Sequence, residues 1–400
     1  MDTVLADIGY RRLSSDWAIW TNPDTGAIIA AHVDDMSACG TEEQLAEVKE
    51  KISLVLGVKD LGDITRYLSI NFEYDVSAGI FRLSQANYIA RLLDEYGMQD
   101  AFEVTTPMLD SDKAKWDNME EYPLLDDHQK KRYQALVGSL LYLMHATRPD
   151  IAYTVIRLSQ FSAQPRISHW DGLKRILRYL KATQGTALVL GAHDTDSHLT
   201  PLEDTAELIG YFDAAHADTA NRRSTCGYVF LWYGSPISWC SRVQRTVALS
   251  TTEAEYMAGT EATKEAIWIK SLLEQICHHP VKCTLRGDNQ GSLALANNPV
   301  FHQRTKHIDI RQKFISEMVN NGTISIQYVP TKFMYADSFT KPLPKDTHWT
   351  HCEELKIDLL RGKERDLPST SKRRKVRCDD CGNLFKDDEA LQRHKLRKQT

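Results

Sequence analysis

The stretch that most restricts the fold is residues 207–340, where strand-patterned segments at 207–213, 226–233 and 236–241 run in succession before one long helical pattern. That helix runs from about 252 to 276 and spaces Ala254, Met257, Ala258, Ala262, Ile269, Leu272 and Leu273 at helical intervals. A strand at 282–287, helices at 289–297 and 307–321, a strand at 323–329 and a short helix at 334–340 follow. Such an order of strands and helices predicts an α/β unit.

Four acids in this unit share a logic of position. Asp213 ends the first strand, Glu253 opens the long helix, Asp288 ends the fourth strand, and Asp337 lies in the last short helix. Acids at the carboxyl ends of neighbouring strands, and on helices packed over them, converge at one sheet edge. Such a cluster repels itself unless divalent cations fill it. The plain alternative is four separate surface carboxylates, with Asp288 capping a helix and Glu253 favouring a helix dipole.

The wording of the segments decides between them. GYFDAAHAD (210–218), RRSTCGYVFLWYGSPISWCSR (222–242), TVALSTTEAEYMAGTEATKEAIWIKSLL (246–273), GDNQGSLALANNPVFHQRTKHIDIRQKFI (287–315) and IQYVPTKFMYADSFTKPLP (326–344) strongly resemble the ribonuclease H domain of copia-type LTR retrotransposons. The resemblance implies a mixed five-stranded sheet with helices, and cutting of the RNA strand of an RNA–DNA hybrid with two Mg²⁺ or Mn²⁺ ions. It places Asp213, Glu253, Asp288 and Asp337 at the family's four metal-binding acids. Glu255, two residues on, points elsewhere on the helix and ranks second. The chain departs from the family at Ala215 and His216, where an acid and a Trp are usual, and at Gly287, where a Cys is. Arg304, Lys306 and His307 form a basic cluster that is either a solvated face or a contact to substrate phosphate.

Upstream, residues 17–37 read as two strands around an Asn-Pro-Asp-x-Gly turn. The segment AAHVDDMSACG…INFEYD (30–75) is similar to the end of the copia-type polymerase palm, with His32 where the motif usually has Tyr. Residues 149–190 match the thumb and connecting region. Asp34 and Asp35 are then two of three polymerase metal-binding acids. Asp7, Asp16 and Asp24 match no motif for the third, so the expectation is a chain that does not polymerise.

Net charge sharpens the division. From Arg361 to Thr400 there are 13 Lys and Arg against 7 acids, a net +6, which leaves −11 on residues 1–360. Lys372, Arg373, Arg374 and Lys375 make a compact run like a nuclear localisation signal, or a solvated charge run. Cys378-x₂-Cys381-x₁₂-His394, with Phe385 and Leu391 between, has the spacing of a ββα zinc finger lacking its fourth ligand. The other six Cys are scattered and read as reduced intracellular thiols. The N-terminus has no apolar signal-peptide core and no stretch is long enough to cross a bilayer.

The reading is therefore α/β and α+β: a truncated reverse-transcriptase palm (1–110), a helical thumb and connection (111–200), a ribonuclease H-like domain (201–345), a disordered basic linker (346–377) and a truncated finger-like segment (378–400). Its partner is an RNA–DNA hybrid or other nucleic acid, and Zn²⁺ is a candidate ligand of the last segment. The rival reading is a catalytically inactive retroelement relic that binds nucleic acid through its basic tail.

Overall fold

The computed structural model describes residues 2–75, 77–118, 120–191, 207–291 and 306–359, with the short segments 376–377 and 384–385. Residues 1–359 form one compact unit and residues 360–400 a second. In the first unit the order is α1 (Asp2–Ala6), β1 (Arg11–Arg12), β2 (Ile19–Thr21), β3 (Ile28–His32), β4 (Asp35–Cys39), α2 (Glu42–Ser53), β5 (Arg66–Tyr67), β6 (Ile70–Asp75), β7 (Ile80–Ser84) and α3 (Ala86–Glu95). Then come α4 (Ser111–Asp117), α5 (Asp127–Ala146), α6 (Ala152–Ser159), α7 (Ile167–Ala182) and β8 (Ala187–Gly191). The last stretch holds β9 (Glu207–Ala215), β10 (Thr225–Trp232), β11 (Ser235–Val243), α8 (Thr251–Cys277), β12 (Lys282–Gly287), α9 (Lys306–Asn320), β13 (Ser325–Tyr328), α10 (Lys345–Glu354) and β14 (Ile357–Asp358).

The central sheet has the order β11-β10-β9-β12-β13. Its first three strands are antiparallel, and β12 runs parallel to both β9 and β13. The mixed five-stranded sheet expected for residues 207–340 is present. Tyr233 and Gly234, both with positive φ, make the two-residue turn between β10 and β11 that suits the twist of a hairpin. Alternation then sends Leu208 and Phe212 to one face, where Ala258, Ala262, Ala266 and Ile269 of α8 cover them. Tyr211, Val229 and Leu231 go to the other face, against Leu136, Leu140, Val155 and Leu158 of the α5–α6 layer.

A second sheet, β14-β8-β7-β6-β5, is antiparallel throughout. Its strands come from residues 66–84, 187–191 and 357–358, so expected boundaries at 110, 200 and 345 do not separate hydrophobic cores. A third sheet, β1-β2-β3-β4, packs Trp20 and Ile29 on Leu5, Val48 and Ile52 of α1 and α2.

Two polar stretches are folded. Within the polar region 105–130, α4 buries Trp116. The disordered linker expected from residue 346 instead begins as α10, which buries His348, His351 and Cys352. Those polar side chains have partners: Arg148 grips Asp150 through two hydrogen bonds at 2.9 and 2.7 Å, Tyr179 donates to Asp150 at 2.7 Å, and its hydroxyl meets His348 Nε2 at 2.9 Å. Burial holds the His348 imidazole down to about 4, so it is neutral there. Among the described residues no helix is long and apolar enough to cross a membrane.

Candidate active site

The acids meet at the edge of the central sheet where β9 and β12 end. Asp213, on β9, is buried, and its neighbour across the ladder is Gly227 of β10. A Cβ on Gly227 would lie 2.6 Å from Phe339 Cβ and 2.9 Å from Thr340 Cγ2. The glycine therefore lets the turn Tyr335–Phe339 rest directly on the sheet, which carries Asp337 to Asp213. Thr340 donates its hydroxyl to Asp213 Oδ2, closing the approach. Gly287 has the same kind of reason: a Cβ there would stand 2.8 Å from Phe212 Cζ. The departure from the family's usual residue at 287 is filled by that ring.

Asp288 follows directly, half-buried, and accepts a 2.8 Å hydrogen bond from Thr331 Oγ1. The third member is Glu255, not Glu253. Oxygens of Asp213, Glu255 and Asp288 lie within 4.8 Å of one another. Glu255 is only 6% exposed; its Oε1 accepts from Ala214 N at 3.4 Å, and its Oε2 has no partner. Burial first, and then the charges of Asp213 and Asp288, push its carboxyl up to about 9.

Glu253 does other work. Two residues apart on a helix is about 200° of rotation, so Glu253 turns away from the sheet as Glu255 turns in. Its carboxylate accepts from Leu249 N at 2.7 Å, and its own N–H donates to Ser250 Oγ at 3.1 Å. It belongs to the N-terminal cap of α8. The signal that finds Glu255 is in the sequence: it falls on the stripe of Ala258, Ala262, Ala266 and Ile269 that α8 buries, and an acid on a buried stripe is rare unless it has a partner or a ligand.

Asp337 lies beside this triad, buried and hydrogen-bonded to Asp213. Burial and then the Asp213 charge raise its carboxyl to about 7. Lys341 Nζ sits 2.9 Å from Asp337 Oδ1. Burial works against that ammonium, but Asp213, Asp337 and Asp288 outweigh it and hold its pKa above the usual lysine value.

Asp34 and Asp35 contrast with all this. They are exposed at the β3–β4 hairpin, where Val33 takes a left-handed φ of 55°. Among the described residues they join no group of three acid, His or Cys ligands. Arg304, Cys378, Cys381, His394 and Lys372, Arg373, Arg374 and Lys375 lie outside the described residues. So do the side chains of Lys306 and His307, which open α9. In the second unit Val376–Arg377 pairs antiparallel with Leu384–Phe385.

Comparison with known proteins agrees with the segments quoted above. Residues 1–110 match the family model for reverse transcriptase (RNA-dependent DNA polymerase). The Pol polyprotein of transposon TNT 1-94 from Nicotiana tabacum is 38% identical over 82% of this chain and 24% of its own length. The putative transposon Ty5-1 protein YCL074W of Saccharomyces cerevisiae is 30% identical, over 66% of this chain and 82% of that protein. The chain belongs to the copia-type Pol polyprotein family.

This Pol chain spans about a quarter of the length of the curated plant Pol polyproteins it matches. It is also similar to a protein named secreted RxLR effector protein 161, from Plasmopara viticola, at 50% identity over 34% of this chain and 90% of that one. Against the solved ribonuclease H1 of Halobacterium salinarum NRC-1 it aligns over 34% of its length and 94% of that chain, at 18% identity and a TM-score of 0.27.

The donor set of the cluster suits hard divalent cations. All the ligand atoms are carboxylate oxygens, which fits Mg²⁺ or Mn²⁺ rather than the sulfur- and nitrogen-favouring metals. Glu255 Oε2, buried without a partner beside two more carboxylates, is the atom that such an ion would satisfy.

Proposed function

We propose that this Pol chain hydrolyses the RNA strand of RNA–DNA hybrids at the Asp213 cluster, with two divalent ions. The observation that carries the reading is the triad of Asp213, Glu255 and Asp288 with its unpartnered buried oxygen. Three carboxylates packed this closely, two of them buried, come together only at a cost, and a cation offsets it. Asp213, Glu255 and Asp288 would hold one ion, and Asp213 with Asp337 the other. Bound there, the ions would supply an activated water and a stabilised leaving oxygen for phosphodiester cleavage.

The residues' own part is to fix that geometry. Thr340 holds one carboxylate oxygen of Asp213, and Thr331 one of Asp288. The Gly227 contact sets the depth of Asp337. Preference for RNA would rest on the 2′-hydroxyl and the hybrid's shape, not on base reading.

The test is cleavage by the purified chain of an end-labelled RNA–DNA hybrid in Mg²⁺ or Mn²⁺, with duplex DNA as the counter-substrate. Asp213→Asn preserves shape and removes charge, and should lower the rate at least about a hundredfold, the scale of deleting one key electrostatic element. Equal rates for both proteins would assign the activity to a contaminant. No cleavage with either ion would leave the inactive-relic reading standing.

A further inference from the structure

The four carboxylates are not equivalent in their surroundings. Asp213, Glu255 and Asp288 bring carboxylate oxygens within 4.8 Å of one another, bordered by the Glu255 Oε2 that makes no hydrogen bond. The neighbouring position, between Asp213 and Asp337, already has a positive group. Lys341 Nζ is bound to Asp337 Oδ1 at 2.9 Å, and Lys341 follows Asp337 by one turn of chain, with its N–H on the Asp337 carbonyl at 3.2 Å. Its side chain is 39% exposed, so the flexible four-carbon stem has a way out to water without backbone movement.

An ammonium held on a carboxylate and a divalent ion brought to the same carboxylate repel one another, so each raises the cost of bringing the other near. We propose that Lys341 is a built-in counter-ion at the second cation position, which must leave Asp337 before a second divalent ion binds. The inference rests on the cluster being a two-ion site, as proposed above, and adds an order to it. The triad fills first and tightly; the Asp337 side fills last and weakly, against the lysine. The same ammonium keeps Asp337 and Asp213 together in the metal-free protein, so the site is assembled before any ion arrives.

The test counts bound Mn²⁺ in the full chain, by the electron paramagnetic resonance of the free ion, and needs no turnover. Wild type should bind one ion tightly and one weakly. Lys341→Met should tighten the second ion by about tenfold and the first by less than about threefold, because the lost charge touches Asp337 directly. Lys341→Arg keeps the charge and should keep the weak second site. A Lys341→Met protein with both constants unchanged, or with both tightened equally, overturns the counter-ion proposal while leaving the two-ion site intact. One ion in both wild type and Lys341→Met overturns it as well. No Mn²⁺ bound by any of these proteins removes the two-ion site itself, and this proposal with it.

Discussion

Two places in this chain bring acids together, one on a hairpin and one at a sheet edge, and they have opposite physics. Asp34 and Asp35 stand in water on a hairpin, where each carboxylate is hydrated and nothing has to be compensated. Asp213, Glu255, Asp288 and Asp337 are packed into one sheet edge, where burial raises two of them and a lysine is recruited. The difference teaches that a pair of acids in a sequence says little until the chain's other elements decide whether water reaches it.

The comparison breaks most visibly at α8. Glu255→Gln should reduce hybrid cleavage at least about a hundredfold, whereas Glu253→Ala should lie within a few-fold of wild type and lose about 1 kcal/mol of stability by removing the acceptor of the Leu249 N–H at the start of α8. Parallel rate and urea-unfolding measurements on the two variants would show it; matching rate losses would mean that Glu253, too, serves the site.

A large effect on stability should come from the layer under the site. Asp150→Ala strips the buried Arg148 of its partner and should cost about 3–5 kcal/mol, read as a lower urea midpoint for the whole 1–359 unit. An unchanged midpoint would show that the helical layer and the acid-bearing sheet unfold independently.

The pH dependence is subtler. Glu255 has a folded pKa of about 9, above the ordinary 4.5. Its folded form therefore holds a proton that the unfolded chain has lost. Stability in EDTA falls as pH rises from about 5 towards 9, with each pKa unit worth about 1.4 kcal/mol. Glu255→Gln should flatten that decline, and millimolar Mg²⁺ should shift the wild-type melting temperature up most at the alkaline end. Melting curves at pH 6 and 8.5, with and without Mg²⁺, decide it; a decline of equal slope in the variant would assign the effect to other groups.

The smallest expected effect is none. Asp34→Asn with Asp35→Asn should leave hybrid cleavage unchanged, and neither protein should extend a primed template, because the exposed pair has no third acid among the described residues. Measurable nucleotide incorporation would reverse the contrast on which these expectations rest.

How much of this was legible depends on whether a residue's role is local. Asp213 lies near the end of β9 and Asp288 just past β12, and strand ends show in the alternation of neighbours. Asp337 sits after the last strand for the same reason. The resemblance points to Glu253, yet Glu255 is the acid that joins the cluster, because it falls on the apolar stripe that continues along α8. Helix α10 was missed because KDTHWTHCEE has no stripe at all. It is held in part by the His348 imidazole, whose partner Tyr179 lies 169 positions earlier in the chain, and no window of sequence contains both.

The pairing of β14 with β8 has a consequence in time. Ile357 meets Leu188, and β8 in turn lies beside β7 at residues 80–84. A sheet begun by strands near the start of the chain is completed only when residue 358 has left the ribosome. Closing contacts over such sequence separations is slow, so the nascent chain spends much of its synthesis with β8 as an open edge, available to other strands. Release of the chain before residue 357 should yield a protein prone to edge-to-edge association, even with every acid of the cluster present.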